Sequence, residues 1–169
     1  MIDNIELIKP LLSFESDDDY YFLQVLQRKK DVKPNPDIGV VGSNNSSRLI
    51  KGYCISSVKY LEDRYYEIQE LCKLFNARAG ICLNKRSYRA SSINMMVRLA
   101  QSIQSHNYRN AKMWNNVAGV YHPISDKTWI IDIDKEDVLM SEEIEAFIGK
   151  QMPEGDKILA HIPSKNGFH

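Results

Sequence analysis

Residues 20–30 read YYFLQVLQRKK, and residues 48–56 read RLIKGYCIS. The Tyr, Phe and Val content of the first segment favours a strand, although its pattern also permits a helix. The residues between the two segments include two prolines and two glycines, which indicate a loop or the tip of a long hairpin. We therefore predict a strand, a loop and a returning strand.

After this hairpin, the apolar residues recur at the spacing of a helix. Ser57 is the predicted N-cap of a helix whose apolar residues are Val58, Leu61, Tyr65, Ile68, Leu71, Cys72 and Phe75. The segment RAGICLN, residues 78–84, predicts a short strand. A second helix follows, with an apolar side made of Ile93, Met96, Val97, Ala100 and Ile103.

The remaining chain mixes both kinds of element. We predict a helix over 107–121, a strand over 128–134, a helix near 141–152 with Ser141 as its N-cap, and a strand over 157–163. Helices and strands that do not alternate strictly are typical of an α+β fold. The predicted boundaries are an N-terminal α/β unit, 1–127, and a second unit, 128–169.

Composition narrows the class of protein. The hydrophobic content of 43% and the charged content of 26% are ordinary for a globular protein. The first residues lack the pattern of a signal peptide, and no apolar run approaches the roughly 18 residues that a membrane span requires. We therefore expect a cytoplasmic protein without a membrane partner.

Charge is unevenly distributed although the net charge is zero. Residues 28–89 hold thirteen Lys and Arg against six acidic residues, and both flanking segments carry net negative charge. A basic segment beside acidic ones indicates a phosphate-binding surface next to a carboxylate site, or simply solvated faces of ordinary helices and strands.

Two aspartates end the predicted strand TWIIDID. Side chains alternate along a strand, so Asp132 and Asp134 share one face, roughly 6.5 to 7 Å apart at the backbone. That spacing lets both carboxylates reach one divalent ion, or two ions about 4 Å apart, as phosphoryl transfer requires. The alternative is an exposed strand end with no ligand.

A polar turn, SKNGFH, closes the chain at residues 164–169. Asn-Gly is a strong hairpin signal, so Phe168 and His169 are predicted to begin a returning strand. Ser164, Lys165 and His169 would then be able to contact a phosphate. The alternative is a hairpin that has polar residues but binds no ligand.

Together the two motifs resemble those of the archaeo-eukaryotic primase superfamily, which includes the PrimPol-like enzymes of phages and other mobile elements. That family has an apolar strand ending in Asp, an apolar residue and Asp, matched here by IIDID at 130–134. Its second motif is a small residue, any residue and His, matched by Gly167, Phe168 and His169.

The resemblance implies a fold and an activity. The fold would be an N-terminal α/β unit packed on a partial RRM-like sheet that carries both motifs. The activity would be template-directed synthesis of nucleic acid from nucleoside triphosphates with Mg²⁺ or Mn²⁺. Asp132 and Asp134 would hold the metal, and His169 would contact the triphosphate. The partners would be a single-stranded template and a helicase or another replication protein.

The family's third motif, an apolar residue followed by Asp, has no match up to residue 169. We therefore expect a truncated or degenerate member that cannot polymerise nucleotides by itself. Two other functions stay open: a non-catalytic module that binds single-stranded nucleic acid, and a metal-dependent nuclease.

A basic segment, NKRSYR, lies at residues 84–89 between a predicted strand and a predicted helix. Lys85, Arg86 and Arg89 are candidates for contact with the template or the triphosphate. The alternative is a basic helix N-terminus exposed to solvent.

Overall fold

The computed structural model describes residues 3–28, 47–108, 133–134, 138–151, 162 and 167–168. Its helices are α1 (Ile5–Ile8), α2 (Val58–Leu74), α3 (Tyr88–Gln104) and α4 (Val138–Gln151), with a 3-10 turn at Lys9–Leu11. Its strands are β1 (Asp19–Arg28), β2 (Ser47–Ile55), β3 (Arg78–Ser87), β4 (Ile133–Asp134) and β5 (Gly167–Phe168). The α+β class predicted from the sequence is confirmed.

The chain divides into two compact units. The larger is Phe14–Lys127, and the smaller combines Met1–Ser13 with Thr128–His169. The larger unit contains β1, β2, β3, α2 and α3, whereas the smaller contains α1, α4, β4 and β5.

The larger unit is built on a three-stranded antiparallel sheet in the order β2-β1-β3. The predicted hairpin forms its first two strands, so β1 and β2 confirm the sequence prediction. Four successive side chains of β1, Tyr20 to Leu23, are at most 6% exposed. Burial of consecutive residues means that both faces of β1 are covered there, because neighbouring side chains of a strand point to opposite faces.

Both long helices begin after a serine cap, of which Ser57 was predicted from the sequence and Ser87 was not. The hydroxyl of Ser57 accepts a hydrogen bond from the amide of Tyr60 at 3.0 Å, and that of Ser87 accepts one from Ala90 at 3.0 Å. Helix α2 buries Leu61, Ile68 and Cys72, as the apolar spacing predicts.

Helix α3 meets the sheet with a different side from the apolar one in its sequence. The hydroxyl of Tyr20 donates to Ser91 Oγ at 2.9 Å, the Tyr20 ring meets Tyr88 edge-on, and Met95 packs against the Tyr20–Phe22 cluster. Ile93, Met96 and Val97 are exposed. Helical periodicity therefore located the helix without showing which side packs.

Other helix and strand bounds differ between the sequence prediction and the structure, or lie outside the described residues. Helix α4 begins at Val138, so the prediction of Ser141 as its N-cap is wrong, and β3 runs on to Ser87. The predicted strands over 128–134 and 157–163 are described only at 133–134 and 162, and most of the predicted 107–121 helix is outside the described residues. None of the helices in the described ranges is long and apolar enough to cross a membrane.

Candidate functional site

Strands β4 and β5 bring the two sequence motifs together in the smaller unit. They pair antiparallel, with Ile133 opposite Phe168 and Asp134 opposite Gly167. Directly opposed residues of an antiparallel pair lie about 4.5 to 5.5 Å apart at Cα. The second aspartate of the D-h-D motif is thus the cross-strand neighbour of the glycine of the second motif, although 33 positions separate them along the chain.

The other residues predicted for this site, Asp132, Ser164, Lys165 and His169, lie outside the described residues. Among the side chains that the structure describes, no three His, Cys, Asp or Glu residues cluster closely enough to hold a metal ion. The motif itself offers carboxylates, which are the hard oxygen donors that Mg²⁺ and Mn²⁺ prefer. The donor chemistry of the motif therefore fits the expected cations.

Arg86 lies in the larger unit and is only 4% exposed. Its guanidinium carbon is 5.3 Å from the centre of the Phe22 ring, and Nη2 lies 4.0 Å from Cys82 Sγ. Burial raises the pKa of the neighbouring Cys54 thiol, and the positive charge of Arg86 offsets part of that rise. The described contacts of Arg86 are thus with the core, and its predicted contact with nucleotide stays a prediction.

Lys85 is held by two carboxylates. Its Nζ lies 3.1 Å from Asp19 Oδ2 and 2.9 Å from Glu15 Oε1, and its side chain is 10% exposed. Burial opposes the charge of Lys85, but the hydrogen bonds to Glu15 and Asp19 outweigh it and raise its pKa. The ammonium group is already neutralised within the larger unit, so these contacts give Lys85 a structural role.

The N-terminus of α3 is occupied by a carboxylate from the loop before β1. Asp18 Oδ1 accepts from the amide of Arg89 at 2.7 Å, and Asp18 Oδ2 accepts from the hydroxyl of Ser87 at 2.5 Å. These bonds, the one from Ser87 first, lower the pKa of Asp18. The positive end of the helix dipole is therefore compensated by the chain itself.

Sequence reasoning missed the roles of Asp18 and Asp19. Both stand in the acidic segment at 15–19, which reads as an ordinary solvated loop. Their partners in NKRSYR lie about 70 positions further along the chain. A local pattern carries no signal for such a contact, although the opposite charges of the two segments are consistent with it.

No protein-family model matches the chain, and no curated protein and no solved structure matches it either.

Proposed function

We propose that the chain carries catalytic residues of a primase-polymerase-type nucleotidyltransferase on and directly beside β4 and β5. The observation that carries this proposal is the pairing of Asp134 with Gly167. It supports the proposal because the resemblance rests on two motifs that must share one site. In the proposed fold, β4 and β5 belong to an RRM-like sheet.

The remaining motif residues are close in sequence to the described pair. Asp132 lies two residues before Asp134 along the chain, and His169 lies two residues after Gly167. The proposed site joins these two residues to the pair Asp134 and Gly167.

Each residue has a role in the proposed reaction. Asp132 and Asp134 would bind Mg²⁺ or Mn²⁺, which supplies charge neutralisation for the triphosphate and lowers the pKa of the attacking hydroxyl. His169 would donate a hydrogen bond to the triphosphate, with Ser164 and Lys165 beside it. Positioning and electrostatics suffice for this chemistry, so no nucleophilic side chain is needed. A single-stranded template and a helicase or other replication protein would be its partners.

Calorimetric titration of the chain with a non-hydrolysable nucleoside triphosphate, with and without Mn²⁺, tests the proposal. We expect nucleotide binding that requires Mn²⁺ and that disappears in the double variant Asp132→Asn, Asp134→Asn. The amides keep the size of the carboxylates but remove the two charges that attract the ion.

The matched control is the double variant Glu142→Gln, Glu143→Gln, which removes two exposed acidic charges from α4. It should bind nucleotide like the unmodified chain. Equal binding by the Asp132, Asp134 variant would contradict the proposal. Absence of any nucleotide or Mn²⁺ binding, with salt-sensitive binding of single strands retained, would favour the non-catalytic module instead.

A further inference from the structure

Within the part of the chain that the structure describes, one face of the three-stranded sheet is covered over only half its length. Tyr20 and Phe22 on this face are at most 2% exposed and lie against α3 through Ser91 and Met95. Further along β1, burial alternates. Residues 23, 25 and 27 are buried, whereas Gln24 and Leu26 are half-buried and Arg28 is exposed. Among the described residues, the face with Gln24, Leu26 and Arg28 is therefore open.

Two glycines flank Gln24 on this open face. Gln24 pairs with Gly52 of β2 and with Gly80 of β3, and both glycines are exposed. Close packing explains why residue 52 is a glycine, because a Cβ there would lie 3.0 Å from the Phe22 ring. A Cβ at Gly80 would meet no atom of the described residues within 4 Å, and the backbone of Gly80 does not have a positive φ.

Glycine inside a strand is destabilising, because it loses more backbone entropy on folding and offers no side chain to pack. Neither crowding nor backbone conformation accounts for Gly80. A remaining reason for glycine in a strand is close approach of a ligand to the backbone.

The charge of the sheet indicates what kind of ligand this is. The three strands contain six basic residues and one acidic residue, Asp19. Asp19 stands at the covered end, where it pairs with Lys85. At the open end, Arg28 lies on the same face as Gln24, and Arg78 pairs with Leu26 of that face, whereas Arg48 pairs with Gln27 and belongs to the opposite face. The exposed backbone at Gly80 therefore lies on a face that also carries arginines. Such a surface suits a negatively charged polymer that carries planar groups, such as bases.

We propose that this open face, defined by Gln24, Leu26, Arg28 and Gly80, binds single-stranded nucleic acid. A base or sugar would lie against the backbone at Gly80, the amide of Gln24 would meet a base edge, and Arg28 would contact a phosphate. The inference rests on the proposed function, for which it names the surface that receives the template. It concerns the larger unit and needs neither metal nor nucleotide.

Fluorescence anisotropy with a labelled single-stranded oligodeoxythymidine, in low salt and without divalent metal, tests this surface. We expect Gly80→Val to weaken binding about tenfold, because the new side chain separates the strand from the ligand. Its thermal unfolding temperature should not fall, since Val is favoured in strands and has open space at this position. Arg28→Gln should reduce the slope of log Kobs against log salt by about 1.

The matched control is Ala79→Val, an exposed neighbour on the other face of the same strand. It should bind like the unmodified chain. Unchanged binding by Gly80→Val would overturn the inference. So would equal weakening by Ala79→Val, which would indicate strand pairing along the β3 edge, or equal competition by duplex DNA, which offers no free base face.

The double variant Asp132→Asn, Asp134→Asn separates the two proposals. It should bind the oligonucleotide like the unmodified chain while losing Mn²⁺-dependent nucleotide binding. If the oligonucleotide does not bind but the nucleotide does, only the open face is refuted. The reverse result refutes only the nucleotidyltransferase site.

Discussion

Asp19 connects three parts of the larger unit through one carboxylate. Oδ2 accepts from the amides of Glu15 and Ser16 at 2.8 and 3.2 Å and pairs with Lys85 at 3.1 Å, while Oδ1 accepts from the Ser16 hydroxyl at 3.1 Å. Asp19 is 5% exposed. The carboxylate thus ties the loop before β1 to the start of β1 and to the end of β3.

Asp19→Asn should lower the free energy of unfolding by about 3 kcal/mol, because it leaves a buried ammonium whose other partner, Glu15, is mostly exposed. Urea denaturation followed by circular dichroism measures the change. Asp17→Asn, at an exposed neighbour in the same loop, is the matched control and should change the free energy by less than about 0.5 kcal/mol. A loss in Asp19→Asn no larger than in this control would argue against a stabilising pair.

At the scale of single elements, the start of α2 depends on one hydroxyl. Ser57 has extended backbone angles, and its Oγ satisfies the Tyr60 amide, which has no partner within the first turn. Ser57→Ala should therefore cost about 1 kcal/mol of unfolding free energy. Ser56→Ala changes an exposed serine just outside the helix and should have almost no effect. Equal effects of the two substitutions in urea denaturation would show that the cap contributes nothing.

The elements of the larger unit were largely predictable from sequence. Residue content predicts β1, apolar periodicity predicts α2 and α3, and Ser57 marks the start of α2, because these signals are local. The length of β3 was not predictable, since the residues beyond the predicted strand, Lys85 to Ser87, are polar. They belong to the strand because Asp19 pairs with Lys85 and the Phe22 ring covers Arg86. Such contacts override local propensity.

The candidate site was predictable in part. The two motifs can be recognised in the sequence. So can the expectation that Asp132 and Asp134 share one face of a strand, because each of these features depends on residues that are close in sequence. The register that sets Asp134 against Gly167 joins distant segments, and no local pattern fixes it. The open face around Gly80 was not foreseen, since the significance of this glycine appears only when the space around it is known.

At the scale of the whole molecule, two acidic residues make stability depend on pH. Hydrogen bonds from Ser87 and from the Arg89 amide lower the pKa of Asp18. Burial alone would raise the pKa of Asp19, but hydrogen bonds from the Glu15 amide, Lys85 and Ser16 outweigh it and lower the pKa. The folded state therefore binds these two protons more weakly than the unfolded state does.

The contribution of these two groups to stability should be fully present above the unfolded-state pKa of about 4 and should be lost as pH falls through the lowered folded-state values. Thermal unfolding measured from pH 7 down to about pH 2 follows this loss, because such carboxylates lose their contribution roughly between pH 5 and pH 1. The acid decline should be shallower in Asp18→Asn than in the unmodified chain. An equally steep decline in this variant would exclude Asp18 as a source of the dependence.

The central position of β1 also bears on how the chain folds as it is made. Its first partner, β2, ends at Ile55, but its second, β3, is complete only at Ser87. At about 5 to 20 residues per second, the ribosome needs several seconds to add the residues from the end of β1 to the end of β3. During that interval one hydrogen-bonding edge of an apolar strand has no partner. Until β3 has been made, this edge of β1 is therefore available for pairing with strands of other chains.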